Sequence, residues 1–545
     1  MKKMVLAAVL LLVAGGASAE KIGGTRILRG NDLAGVITDA ETGRGIPGVA
    51  VTDGFKFVVT DRNGVYQMKA DPRCRTVSYT TPSAYEIALS EKGHTPAFYA
   101  GHTPGMAFAR HDFVLKRLDR DEADFTMIML ADPQCQLLSD VERFRTETMP
   151  DLREYIDGKI AGGKWKNVYA MTLGDIIYDD QNDWQPMREI MSDVAIRDGQ
   201  DGYLPIFQVI GNHDHYNSYY DDYGAATNFV RHFGPTDYSF DRGKVHFVVM
   251  DNVYYTGRGT VPEKGFTKVK YTSGFTPEQV EWLRQDLALV ADKADKMVVF
   301  CAHIPLRGLN GDKPGKAGYN NGAVLDMLAG FREAHLMIGH THYPEMYYHQ
   351  KHVTAGGQPV MEHIHGAVCG AWWHSNTCVD GTPLGYAAYE VRGACLYDWQ
   401  PKFTRRSESY QLRVYDGNAS YTGGRGIEYR WEEDLRDCFV ATVWYDDDRN
   451  WEVVLEMDGK TWPMHRVTRP QRDWYAYSFF INENGRGITN TAYMQDCLHF
   501  WTVSIPGVKP SGATGWRVVA TQTVPTSGVR HRYTADRIAT GYEGL

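Results

Sequence analysis

Five short polar clusters, each directly after an apolar run, carry the side chains best suited to chemistry: Asp132-Pro133-Gln134, Gly174-Asp175, Gly211-Asn212-His213-Asp214, His303, and Gly339-His340-Thr341-His342. Their donors are carboxylate, carboxamide and imidazole with no thiolate among them, a set that suits Mn, Fe or Zn. Together they supply oxygen and nitrogen ligands enough for two adjacent metal ions. Metal-dependent hydrolysis is the chemistry such a set implies.

The apolar runs that precede them, MIML, VYAMTL, LPIFQVI, KMVVFC and AHLMI, read as short buried parallel strands. Ligands at the carboxyl ends of such strands sit in the crevice where open α/β sheets place their chemistry. Helical segments between the strands complete an α/β sandwich. The clearest helix start is Thr276-Pro277-Glu278-Gln279, with Thr as N-cap, Pro at the first helical position and Gln closing a capping box. Val280, Leu283, Leu287 and Val290 follow at helical spacing and are expected in the core.

The order and spacing of the five clusters, from about Asp124 to Trp373, resemble the calcineurin-like metallophosphoesterase superfamily, of an exported bacterial type with N- and C-terminal β domains. The resemblance implies two divalent or mixed-valence ions (Mn, Fe or Zn) acting on a phosphoester substrate, a phosphate mono- or diester. One ion would be held by Asp132, Gln134, Asp175 and His342, the other by Asp175, Asn212, His303 and His340. Asp175 would bridge, since a carboxylate offers two separate oxygens. His213 would face the substrate as general acid or transition-state stabiliser, with Asp214 beside it to orient or charge it. Two ions about 3.5–4 Å apart activate a water and clamp the attacking and leaving oxygens of an in-line displacement.

Two departures from the family's commonest pattern mark this chain. Gln134 stands where many members carry His, and Tyr178, followed by Asp179, stands where the family has a second Asp. GDIIY with GNHDH also resembles the purple acid phosphatase branch, in which a Tyr at that offset ligates ferric iron. Tyr178 is therefore either a ligand or a packed or gating aromatic. Beyond GHTH, His363, His365 and His374 are expected in packing or in hydrogen bonds behind the ligands. Trp372, Trp373 and the Asp380-Gly381-Thr382-Pro383 turn are candidates for a wall of the substrate cleft, and His215 for a group approaching the phosphate.

The 545-residue chain is 43% hydrophobic, ample for more than one domain. Residues 1–19 read as a signal peptide, with Lys2 and Lys3, an apolar stretch to Ala14, and Ala17-Ser18-Ala19 before the cleavage point, which implies export to the periplasm or medium. That stretch is too short to span a bilayer, and no later segment is continuously apolar. A net charge of −9 without a long Lys/Arg run argues against a nucleic-acid-binding footprint. Eight scattered cysteines do not form a disulfide framework; Cys301 reads as a buried thiol, and Cys369 with Cys378 is the pair to inspect first.

Residues 20–118 alternate apolar residues with turns at Thr42-Gly43, Pro47-Gly48, Asp53-Gly54 and Asn63-Gly64, and predict a small β-sandwich resembling transthyretin-like or carboxypeptidase-regulatory-like modules. With no aromatic platform, it reads as a domain docked on the catalytic core. The catalytic domain is expected over 119–380 and a second β-rich domain over 381–545. The rival reading is an exported glycan- or surface-binding protein whose β modules do the work beside a degenerate metal site. A complete ligand set with His213 intact counts against it.

Overall fold

The computed structural model describes residues 21–91, 94–136, 138–196, 202–261, 266–370, 376–422, 428–469, 471–476 and 494–539. The expected signal peptide and Trp372, Trp373 and His374 lie outside them.

Two sheets pack face to face at the centre. The first is five-stranded, in the order Ile206–Phe207, Val168–Thr172, Asp124–Leu130, Gly385–Arg392, Cys395–Phe403. The second is six-stranded, in the order Tyr238–Arg242, Val245–Val249, Met297–Cys301, Glu333–Ile338, Pro359–Ile364, Glu345–Val353. The strands that lead into the five polar clusters are parallel to their neighbours of the same set, as their unbroken apolar runs require.

Alternate residues of each run serve different layers. Met127, Met129 and Met171 meet Phe247, Val299 and Met337 between the sheets. Ile128, Leu130 and Ala170 turn outward to Leu152, Ile156 and Ile190 on helices Met149–Ala161 and Trp184–Ser192. Val298, Phe300 and Leu336 do the same for Trp282, Leu283 and Leu325 on helices Pro277–Leu289 and Asn321–Leu328. The result is an α/β sandwich of helix, sheet, sheet and helix layers. The capping box forms as expected: Gln279 N–H donates to Thr276 Oγ1 and Thr276 N–H to Gln279 Oε1. Leu283 and Leu287 are buried, and Val280 and Val290 pack half-buried at the rim.

The N-terminal unit is two four-stranded sheets, and it is fastened to the core. Trp282 Nε1 donates to Thr52 Oγ1 at 3.1 Å, and Arg242 donates to the carbonyls of Pro82 and Tyr85 while pairing with Glu122 at 3.0 Å, both side chains buried. The C-terminal unit is a sandwich of two further four-stranded sheets from Leu412 onward around Val414, Phe439, Leu455 and Val518. The hairpin Gly385–Arg392 and Cys395–Phe403, expected in that unit, extends the five-stranded sheet, pairing antiparallel with Asp124–Leu130. Alternation in sequence shows a hairpin, but the sheet that receives it is a long-range choice.

The Arg242–Glu122 pair generates a prediction. Arg242→Met should cost about 1–3 kcal/mol of stability, because buried Glu122 keeps Arg120 and Tyr169 but loses its buried guanidinium, and the carbonyls of Pro82 and Tyr85 lose their donor. Chemical denaturation checks it. A loss below about 1 kcal/mol would show that the pair does not hold the domain junction.

Candidate metal centre

Each cluster lies just beyond the carboxyl end of its strand, so the two sheets deliver ligands from both sides to one crevice. The backbone there is bent hard. Asp132, Gln134, Asp175, His340 and His342 all have positive φ, between 41° and 72°, a region in which residues other than Gly are uncommon and strained at about 1–3 kcal/mol each. The glycines before the ligands serve close approach. A Cβ on Gly174 would lie 2.5 Å from His303 Nδ1, one on Gly211 2.2 Å from the Asp175 nitrogen, and one on Gly339 2.7 Å from Asp132 Oδ2. No side chain fits at these three positions, so the turns can press against one another.

Asp175 is the meeting point. Its Oδ1 accepts from His213 N–H at 2.8 Å, its Oδ2 from Gln134 Nε2 at 2.6 Å, and His303 Nε2 lies 3.2 Å from the same Oδ2. His303 Nε2 is also 3.0 Å from Asn212 Oδ1 and 3.2 Å from His340 Nδ1. His342 Nε2 is 3.6 Å from Asp132 Oδ1, and Asp132 accepts the His340 N–H. Ligand atoms of Asp175, His303 and His340 all lie within 4.8 Å of one another, as do those of Asp132, Asp175 and His342. The seven expected ligands therefore come together, Gln134 with its amide nitrogen turned toward Asp175.

Electrostatics fits a cation site. Burial and the neighbouring cationic imidazoles push His340 and His342 down to about 3, so both rings stay neutral, the form that can coordinate a metal. Burial, against the pull of His303, drives the Asp132 carboxyl well up, whereas Asp175 is drawn below the usual range because the surrounding imidazoles outweigh its burial. Two buried carboxylates this close repel one another unless positive charge stands between them. A metal ion would supply that charge.

Orientation of the ligands comes from behind. His303 Nδ1 bonds the Leu173 carbonyl at 2.8 Å, fixing its tautomer so that Nε2 points inward. The turn after Cys301 is shaped by Asn252, whose Oδ1 accepts the N–H groups of His303 and Ile304 and whose Nδ2 donates to the Ile304 carbonyl. Asn252 is the positioning residue that sequence reasoning missed. Its signal was the same as for the others, a polar pair, Asp251-Asn252, at the end of the apolar strand Val245–Val249.

Three expectations change. Asp214 does not touch the His213 ring: fully buried, it accepts from the N–H groups of Ile176, Ile177 and Gly211, tying the Asp175 turn to the Asn212 turn. The partner of His213 is Asp179, with Nδ1 and Oδ1 3.1 Å apart. His215 turns away from the crevice, its Nε2 on Asp251 at 3.1 Å. The Asp380-Gly381-Thr382-Pro383 turn is no cleft wall, because it is buried against the C-terminal domain, where Asp473 leaves no room for a Cβ on Gly381.

Other residues stand where expected. His363 and His365 join a buried chain that runs from His335 through Tyr389 to the Ile338 carbonyl, behind the ligands. Cys369 and Cys378 are free thiols, as are all cysteines of the chain, and burial pushes the Cys301 thiol far up. Tyr178 stacks on the His213 ring, centroids 4.2 Å apart.

Three family models match in chain order: the N terminal of calcineurin-like phosphoesterase at residues 31–118, calcineurin-like phosphoesterase at 129–344, and the C terminal of calcineurin-like phosphoesterase at 362–525. This chain belongs to the calcineurin-like phosphoesterases. A metal-dependent phosphoesterase with two metal ions is what membership implies. Among solved structures, the chain is similar to a dimetal phosphatase from Danio rerio, at 17% identity and a TM-score of 0.32 over 49% of this chain and 92% of that one. It is also similar to the purple acid phosphatase PPD1 from yellow lupin (Lupinus luteus) seeds, at 14% identity and a TM-score of 0.33 over 64% of this chain and 58% of that one. No curated protein matches the sequence.

The exchange of roles between Asp214 and Asp179 is testable. Asp214→Asn should destabilise the fold by about 2–4 kcal/mol, since a buried acceptor of three N–H groups is lost in part. Asp179→Asn, at a side chain 45% exposed, should shift stability by less than about 0.5 kcal/mol yet slow turnover by about tenfold or more. Paired denaturation and rate measurements check this. The reverse pattern would return the orienting role to Asp214.

Proposed function

We propose that this chain is an exported binuclear-metal phosphoesterase that hydrolyses a phosphate mono- or diester. The supporting observation is the convergence of Asp132, Asp175, His303, His340 and His342 on one buried point, with Asp175 shared by both ligand sets. Asp132, Gln134, Asp175 and His342 would hold one ion and Asp175, Asn212, His303 and His340 the other. Bound there, Mn, Fe or Zn would lower the pKa of a water and neutralise charge on the phosphoryl oxygens.

The chain's own residues supply the rest. His213 is the group that reaches solvent: its side chain is 24% exposed where Asp175 and His303 are at most 1%. With Nδ1 held by Asp179 and the ring face covered by Tyr178, His213 presents Nε2 to the crevice, where it donates a proton to the leaving oxygen. Burial alone would lower its pKa, but Asp175 and the hydrogen bond to Asp179 raise it above the ordinary imidazole value. Tyr178 acts here as the packed aromatic that orients His213. Tyr271 lies on the Phe266–Ser273 strand, 39% exposed; burial, helped by the charge of Asp175 and Asp179, pushes its phenol up to about 12, and it offers the leaving group an aromatic edge. Export is supported by the Lys2-Lys3 start, apolar stretch and Ala17-Ser18-Ala19 end of residues 1–19.

Purified protein should hydrolyse chromogenic phosphate mono- or diesters, lose that activity to a chelator and regain it with Mn, Fe or Zn. Absence of metal-dependent turnover on both ester classes would sink the proposal. His213→Ala should keep its metals and slow by about 10²–10⁴-fold, least for substrates with good leaving groups. A metal-free variant would show instead that His213 is a ligand. The protein should be colourless, and a violet iron-loaded preparation that bleaches on Tyr178→Phe would make Tyr178 a ligand.

A further inference from the structure

His215 follows the Gly211–Asp214 turn but faces away from the metal centre, and its side chain is fully buried. Its Nδ1 lies 2.8 Å from the Gly211 carbonyl, which only accepts, so the ring proton sits on Nδ1. Nε2 then aims its lone pair at two carboxylates, with Asp251 Oδ2 at 3.1 Å and Asp222 Oδ1 at 3.9 Å. That arrangement requires positive charge at the meeting point, as a second ring proton or as a metal ion. A backbone-bonded Nδ1–H behind an inward Nε2 is the usual arrangement of a ligating histidine, and it is the one His303 shows with the Leu173 carbonyl.

The spacing matches that of the metal centre itself. Ligand atoms of His215, Asp222 and Asp251 all lie within 4.8 Å of one another. Their nearest separations, 3.1 and 3.9 Å, compare with 3.2 Å for His303 to Asp175 and 3.6 Å for His342 to Asp132. Backbone donors aim both carboxylates: Val253 N–H bonds Asp251 Oδ1 and Tyr255 N–H bonds Asp222 Oδ1.

A second observation concerns the surroundings of the cluster. Asp222 and Asp251 open, with Asp237, into a cavity of about 350 Å³ between the N-terminal domain and the core. Burial and the charge of Asp251 push Asp222 and Asp237 each up to about 7, the direction expected where carboxylates crowd together. Of the two guanidiniums at the wall, Arg73 is paired with Asp71, and Arg75 bonds the Tyr223 carbonyl and stacks on its ring. The cavity has room for the waters that complete a coordination shell.

We propose that His215, Asp222 and Asp251 form a third cation site, outside the phosphoesterase centre, that takes one divalent ion of the Zn²⁺ or Mn²⁺ class. One imidazole and two carboxylates without thiolate are donors of that class. The ion is structural. It fixes the ring that holds the Gly211 carbonyl, and so braces the turn that presents Asn212 and His213.

The test counts metal. Wild-type protein equilibrated with Mn²⁺ or Zn²⁺ and freed of excess should hold about one ion per chain more than Asp222→Asn, by mass spectrometry. Asp222→Asn is isosteric and keeps the Tyr255 N–H acceptor, so it leaves the His215–Asp251 pair and the fold in place. Asp251→Asn should lose the same single ion, and in both variants added Mn²⁺ or Zn²⁺ should raise the melting temperature less than in wild type. Equal metal content in wild type and Asp222→Asn would overturn the proposal and leave a His215–Asp251 ion pair.

Discussion

One carboxylate, that of Asp175, touches three of the turns that make the centre. It accepts the backbone N–H of His213 and the amide of Gln134, and lies against the imidazole of His303. Its own carbonyl accepts the Gln134 N–H. Three segments far apart in sequence are therefore registered to one side chain. The His340 turn is registered separately, through Asp132. The centre is thus five turns, three from the first sheet and two from the second, cross-linked through Asp175 and Asp132, and any shift between the sheets would pull the ligand sets apart.

That geometry costs backbone strain, which the surroundings must hold in place. Five ligand residues sit at positive φ, and the glycines before Asp175, Asn212 and His340 leave no room for a Cβ. The constraint comes from the packed sandwich beneath, with Met127, Met171, Val299 and Met337 locked between the sheets. Buried Asp214 and Asn252 saturate the backbone donors of the tight turns. The flanking domains add to this rigidity: Arg242 and Trp282 fasten the N-terminal sandwich, and His499, bonded to the Pro344 carbonyl, ties the C-terminal one to the segment after the GHTH turn.

What could be read from the sequence was set by local signals. Apolar runs ending in polar clusters located the strands and the ligands, and the Thr276 capping box located a helix to the residue. Directions of side chains were not legible. His213, Asp214 and His215 are consecutive, yet one faces the crevice, one pins two turns and one lies on Asp251, because a tight turn has no fixed side-chain period. The Gly385–Phe403 hairpin alternates like a sandwich hairpin, and only its pairing with Asp124–Leu130 assigns it to the core. Asn252 carries the same kind of signal, a polar pair after an apolar strand, but its work is done on backbone groups of a turn remote in sequence.

Metal content of Asp175→Asn, set against that of His342→Ala, tests the central role of Asp175 most directly. As the ligand common to both sets, Asp175 should on replacement release both ions of the centre, leaving at most the ion held by His215, whereas His342→Ala should release only one. An Asp175→Asn protein that keeps as much metal as His342→Ala would contradict the shared carboxylate.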